Sequence, residues 1–259
     1  MTRIVTLRIQ SNLARTQAIE WSRDGTLLGG AWIHSACGLM SSREEHGDGY
    51  WYCPERLFSL DAEEGESRLI VQLDNILSEP DDCSLPAFVV GFGSSTFDLP
   101  LLKLRAMRHS VSLACLGPAG TDRYGKSRGR RSPQFHFDLA EEVLGYRRAS
   151  LETVCDLLGI PTSNSIMLEG WTASNGDDDD ARAFNELTLV VLHAIYLQWS
   201  FVINELNPKT FELSLRSFCD FLQREGETRP HLLRWLGAYV EAATEARERD
   251  TPRSVEWFG

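Results

Sequence analysis

Val89–His109 reads VVGFGSSTFDLPLLKLRAMRH. A short apolar run ends in glycines, a Phe97-Asp98-Leu99-Pro100 corner follows, and an amphipathic stretch with a basic back comes next. A continuous apolar run of this length suits a strand buried on both faces. Proline is tolerated in the first turn of a helix, where its missing N–H has no partner to lose. The pattern therefore predicts a strand over Phe88–Phe92 and a helix over Leu99–His109. It also predicts that one carboxylate, Asp98, is delivered at their junction to the mouth of a pocket.

Working outward, Arg3–Ile9 alternates and is β-branched, as a first strand should be. Thr26–Leu39 contains a second apolar segment broken by glycines, and aromatic-rich Gly49–Leu60 closes a meander. Asp61 and Glu64 have capping-box spacing ahead of a helix through Arg68, Leu69, Leu73 and Leu77. Ser150 caps and Gly159 stops a helix over Ser150–Leu158. The acidic run Asp177–Asp180 precedes a strong helix from Ala181 to about Ile203. Two amphipathic helices, Phe211–Arg224 and His231 to about Arg249, complete the chain. Strands early, helices late and a strand–helix crossover between them imply an α/β fold, a mixed sheet flanked by helices. The expected division is a domain over 1–205 and a helical C-terminal extension over 206–259 packed on it.

With 259 residues the chain can bury one sizeable core, and its formal net charge of −11 disfavours indiscriminate nucleic-acid binding by the whole surface. A local basic groove remains compatible with that charge. No apolar run is long enough to span a bilayer, and the opening residues lack a signal-peptide plan. Cys37, Cys53, Cys83, Cys115, Cys155 and Cys219 are widely spaced with no C-x-x-C pair. Buried free thiols in a reducing cytoplasm fit them better than zinc or disulfides.

The ordered landmarks resemble the DnaQ-like 3'-5' exonucleases, in particular the bacterial family related to the exonuclease domain of family B DNA polymerases. Gly93-Ser94-Ser95-Thr96-Phe97-Asp98-Leu99-Pro100 stands where that family has Asn-Gly-x-x-Phe-Asp-Leu-Pro. Phe137-Asp138-Leu139, Ala149-Ser150-Leu151-Glu152 and Leu158-Gly159-Ile160-Pro161 match its later landmarks. The likeness runs from Val71 to about Trp199 and more weakly at both ends, and it implies an RNase H-like fold. The catalytic positions depart from the pattern. Arg8 and Gln10 stand for the Asp and Glu of the opening Asp-Ile-Glu strand. Phe184 stands for the Tyr, and Thr188 for the Asp, of the Tyr-x-x-x-Asp helix. Gly93 replaces the Asn of the second motif.

Those departures bear on the chemistry the resemblance implies. Two-metal phosphodiester hydrolysis places two cations about 3.5–4 Å apart. At about 4 Å and an effective dielectric of about 20 they repel by roughly 17 kcal/mol. Four carboxylates would offset that and supply hard oxygen ligands. Here Asp98 alone survives, Arg8 adds a positive charge, and Gln10 and Thr188 are neutral. No metal is expected, or Asp98 alone as a ligand, with Mg or Mn only if the protein is active. Arg8 has three readings: a salt bridge to Asp98, an anchor for a phosphate in place of a metal, or an outward-facing guanidinium.

Other features weigh less. Asp61-Ala62-Glu63 and Asp177–Asp180 read as helix starts rather than metal sites. Asp138 reads as a hydrogen-bonding core position. The histidines show no paired metal spacing. Arg123, Lys126, Arg128, Arg130 and Arg131, within the loop Gly117–Pro133, form the dense basic cluster suited to phosphates, with Tyr124 available for stacking. Arg8 joins them as a candidate nucleic-acid contact. The resulting expectation is a catalytically degenerate exonuclease homologue, cytoplasmic and without a membrane partner. It would bind single-stranded nucleic acid or a 3' end, or serve as a protein subunit of a DNA- or RNA-processing complex. The rivals are an active divalent-metal-dependent 3'-5' exonuclease with a non-standard site, and a protein-binding scaffold without nucleic-acid affinity.

Overall fold

The computed structural model describes residues 3–11, 31–47, 49–78, 87–116, 136–145, 149–168 and 178–250. Its strands are β1 (Arg3–Ser11), β2 (Ile33–His46), β3 (Gly49–Asp61), β4 (Phe88–Gly91) and β5 (His136–Asp138). The helices before the long central one are α1 (Glu66–Ser78), α2 (Asp98–His109), α3 (Leu139–Leu144), α4 (Leu151–Leu158) and α5 (Ser163–Leu168). Then come α6 (Asp178–Val202), α7 (Pro208–Gly226) and α8 (Pro230–Asp250).

The strands form one mixed sheet in the order β3-β2-β1-β4-β5. β1, β2 and β3 are antiparallel neighbours, while β4 and β5 run parallel to β1. This is the RNase H-like α/β arrangement expected from the landmarks. Because side chains alternate along a strand, β1 sends Val5, Leu7 and Ile9 toward α1 and α2, where they join Leu69, Leu73, Leu101 and Leu102. Ile4 goes to the opposite face, with Leu39, Leu57 and Val90 against α6. Arg8 and Gln10 follow the parity of Ile4, so the first-motif positions lie on the α6 side.

Helix α6 is apolar on nearly every face: Leu187, Leu189, Val190, Val191, Leu192, Ala194 and Ile195 are all buried. A helix of this kind needs cover all round. The sheet supplies one side, and Phe218, Phe221 and Leu222 of α7 with Leu232, Trp235 and Leu236 of α8 extend the same core. Asn207 caps α7 through a capping box, with Pro208 at its start. No helix among the described residues is long and apolar enough to cross a membrane.

Several sequence expectations need adjustment. The capping box over Asp61 and Glu64 does not form. Pairing with Ser35 holds Asp61 in the β3 ladder, its Oδ1 accepts from the Glu63 N–H at 3.1 Å, and the helix starts at Glu66. Glu66 is instead fixed inward: its carboxylate accepts from the Ile33 N–H at 2.5 Å and from the Arg105 guanidinium, and bonds His109 Nε2 at 2.7 Å. Burial opposes its charge, yet these donors hold its carboxyl below the usual range. Helices α3 and α5 had no counterpart in the sequence reading, and α6 begins within the acidic run, at Asp178.

Candidate functional site

The turn leaving β4 explains how Asp98 is placed. At Gly91 a Cβ would lie 2.3 Å from Ser94 Oγ, so the chain folds back on itself only because that position has no side chain. Gly93 has φ +66°, with nothing within 4 Å of where a Cβ would stand. Left-handed backbone favours Gly first and Asn next. Gly93 therefore takes this turn without strain.

Asp138 locks this turn from β5. It is 3% exposed, and its carboxylate accepts from Gly93 N–H at 2.7 Å, Ser95 N–H at 2.8 Å and Ala140 N–H at 3.0 Å. The last bond also caps α3. Asp138 is thus the hydrogen-bonding core residue its sequence context implied. Ser94 Oγ meets His136 Nε2 at 2.8 Å. Burial lowers the His136 pKa, with Lys103 adding to the effect and Asp138 opposing it. Asp98 then sits in the first turn of α2, 1% exposed, where free helix N–H groups and the dipole favour a carboxylate.

The other motif positions converge from β1 and α6. Arg8 is half-buried, with its guanidinium carbon 5.5 Å from the centre of the Phe184 ring, a cation–π arrangement. Beside it, burial pushes the Cys37 thiol up to about 12; Arg8 opposes that rise, and Glu186 and Asp98 add to it. Gln10 Oε1 accepts from Asn185 Nδ2 at 2.6 Å and from Ser35 Oγ at 3.0 Å. Thr188 Oγ1 donates to the Phe184 carbonyl at 2.9 Å and meets Ser163 Oγ at 3.0 Å. Arg8, Gln10, Phe184 and Thr188 are thereby bound up in contacts among β1, β2, α5 and α6.

The donor chemistry here does not fit a pair of divalent cations. Gln10 and Thr188 offer neutral oxygens already engaged in hydrogen bonds, and Arg8 brings a positive charge. No group of three or more His, Cys, Asp or Glu that could hold a metal occurs among the described residues. The basic residues Arg123, Lys126, Arg128, Arg130 and Arg131, and Tyr124 among them, lie outside the described residues.

Two features were not foreseen. Glu186, 1% exposed, accepts from Ser59 Oγ at 3.1 Å and meets His231 Nε2 at 2.8 Å and Arg229 Nε at 3.4 Å. It ties the sheet to the α7–α8 junction. The second is a cavity of about 320 Å³ between the open ends of β2 and β3 and the start of α6, with Gln10 and Asn185 in its wall. Glu186 and Asn185 sit inside the third motif, but nothing in a linear sequence tells which way each side chain leaves the helix.

Residues 56–239 match the family described as "Predicted 3'-5' exonuclease related to the exonuclease domain of PolB". No curated protein matches the chain. Among solved structures, the family B DNA polymerase from the hyperthermophilic archaeon Pyrobaculum calidifontis is similar over 96% of this chain, at 17% identity and a TM-score of 0.40. The chain spans 24% of the length of that polymerase chain.

Proposed function

The chain belongs to the family of predicted 3'-5' exonucleases related to the exonuclease domain of PolB, and from that premise we propose that it is a catalytically degenerate member. In this reading it binds nucleic acid, or serves as an accessory subunit of a DNA- or RNA-processing assembly, without cutting. The observation that carries the reading is the neutral, internally satisfied network in the metal-ligand positions. Gln10 is held by Asn185 and Ser35, and Thr188 by Ser163. Two cations at about 4 Å would repel by roughly 17 kcal/mol at an effective dielectric of about 20, and Asp98 is the one motif carboxylate left to oppose it.

Residues 1–205 then form the exonuclease-like domain, with 206–259 a helical extension sharing its core. Arg8, Arg123, Lys126, Arg128, Arg130 and Arg131 supply phosphate contacts and Tyr124 a stacking surface. Cys37, Cys53, Cys115, Cys155 and Cys219 are free thiols, which supports a reducing, cytoplasmic setting.

The test is digestion of single-stranded and 3'-recessed DNA and RNA with Mg or Mn present. No digestion, with strand binding that weakens as salt rises and on neutralising Arg128, Arg130 and Arg131, is the expected outcome. Digestion abolished by Asp98→Ala would overturn the degenerate reading. Absence of strand binding at low salt would replace nucleic-acid binding with a scaffold role.

A further inference from the structure

We propose that His136 is a proton switch on the turn that carries Asp98. Neutral, its Nε2 accepts from the Ser94 hydroxyl and holds the turn closed; protonated, it releases Ser94 and lets the turn open. Residues two apart on a strand share a face, so β5 presents His136 and Asp138 together to the turn leaving β4. The two grip adjoining groups. His136 Nε2 meets the Ser94 side chain at 2.8 Å, and Asp138 takes the Gly93 and Ser95 N–H groups on either side of it. Phe137, between them, leaves by the other face and packs on Phe88 and Tyr196.

Ser94 decides what the switch moves. It is 2% exposed, and its Oγ stands 2.3 Å from where a Gly91 Cβ would be. Its carbonyl accepts from the Leu99 N–H at 3.0 Å, one residue beyond Asp98 in the first turn of α2. The Ser94 side chain thus answers to β5, and its backbone to the helix start that carries Asp98. An imidazolium bears a proton on both nitrogens and can only donate. Protonation therefore takes its acceptor from the buried Ser94 hydroxyl. It also draws the ring toward the Asp138 carboxylate, which already serves Gly93, Ser95 and Ala140. Both changes loosen the same turn.

The surroundings set the direction. Burial disfavours the imidazolium, Asp138 on the same strand favours it, and Lys103 of α2 disfavours it; the balance holds the His136 pKa below its ordinary value. Val89, its partner on β4, carries no charge, and Glu141 and Glu142 of α3 are exposed. The closed turn thus binds the proton less readily than an open one, and acid favours opening. One proton shifts that equilibrium by at most about tenfold per pH unit. The shift begins below about pH 6.5 and levels off below the folded value.

The experiment is nuclear magnetic resonance of the full chain from about pH 7.5 to about pH 4.5. It reads the His136 Nε2 shift and hydrogen-exchange protection at Gly93, Ser95 and Leu99. Leu189 and Val190, in the core of α6, report global unfolding and separate it from opening of the turn. The expected result is an unprotonated Nε2 at neutral pH. Protection at the three turn amides should then fall by up to about tenfold per pH unit, with the His136 midpoint and ahead of α6. His136→Gln, whose amide can still meet Ser94 but does not titrate, should keep the protection flat. Where that variant fails to fold, the wild-type titration still decides, since the Gly93 and Ser95 amide shifts must move with the His136 midpoint. A protonated Nε2 at neutral pH, protection and shifts that do not follow His136, or the same loss in His136→Gln, overturns the proposal.

Discussion

Replacing Asp138 should loosen the corner that places Asp98, and the structure sets the size of the effect. The carboxylate satisfies three backbone N–H groups, those of Gly93, Ser95 and Ala140, from a 3% exposed position. Hydrogen bonds to a charged acceptor contribute about 1.5–3 kcal/mol each, and a buried donor left unmet costs about 1–3 kcal/mol. The turn can relax and admit water, so the three do not add in full. Asp138→Ala should cost about 3–5 kcal/mol, within the roughly 5–15 kcal/mol that holds a domain folded. Asp138→Asn separates the bonds further. Its Oδ1 can still serve Gly93 and Ala140, while its amide nitrogen would face the Ser95 N–H. The expected cost is therefore intermediate, about 1.5–3 kcal/mol. Urea denaturation measures both, and hydrogen exchange at Gly93 and Ser95 should quicken selectively. Both variants lying within about 1 kcal/mol of wild type, or Asn costing as much as Ala, would show that Asp138 does not lock this turn.

His193 is buried, with neither ring nitrogen bonded to a described residue, and burial depresses its pKa to about 3. Because the folded value lies below the ordinary value of about 6.5, the unfolded chain binds the proton more readily, and stability falls as pH drops below about 6.5. Wild type should lose about 2 kcal/mol between pH 7 and 5 through this residue; His193→Leu should remove that loss and be more stable at both pH values, as acid denaturation curves will report. Glu186→Gln leaves His231 and Arg229 facing a neutral amide and should destabilise the chain by about 2–3 kcal/mol in urea, the partial exposure of Arg229 screening part of the effect. At Gly93 the left-handed backbone predicts that Gly93→Asn costs under about 1 kcal/mol and Gly93→Val about 1–2 kcal/mol more, a ranking that thermal unfolding can check.

How far the sequence could be read depended on how local the controlling physics was. The strand–turn–helix around Asp98 was legible because glycine and proline act on their own backbone, and the structure places β4 and α2 within a residue or so of the expected bounds. The start of α1 was misplaced because Asp61 obeys a partner on β2, a pairing that no nearby residue announces. The same holds for the site. The substitutions at Arg8, Gln10, Phe184 and Thr188 stood out against the landmarks of the family. That Gln10 and Asn185 would bond each other across 175 positions could not be read from either segment. Glu186 shows the same limit: tertiary packing joins it to His231 and Arg229 at the start of the C-terminal helix, more than 40 positions away.

Manganese titration followed by electron paramagnetic resonance reads the occupancy of the Asp98 corner itself. If the neutral network has replaced the metal site, wild-type protein and Asp98→Ala should show the same weak, non-saturating background. Restoring the carboxylates with Arg8→Asp, Gln10→Glu and Thr188→Asp together should create saturable binding. Stoichiometric binding of two manganese ions by the wild type, lost in Asp98→Ala, would show that the two-metal site is intact.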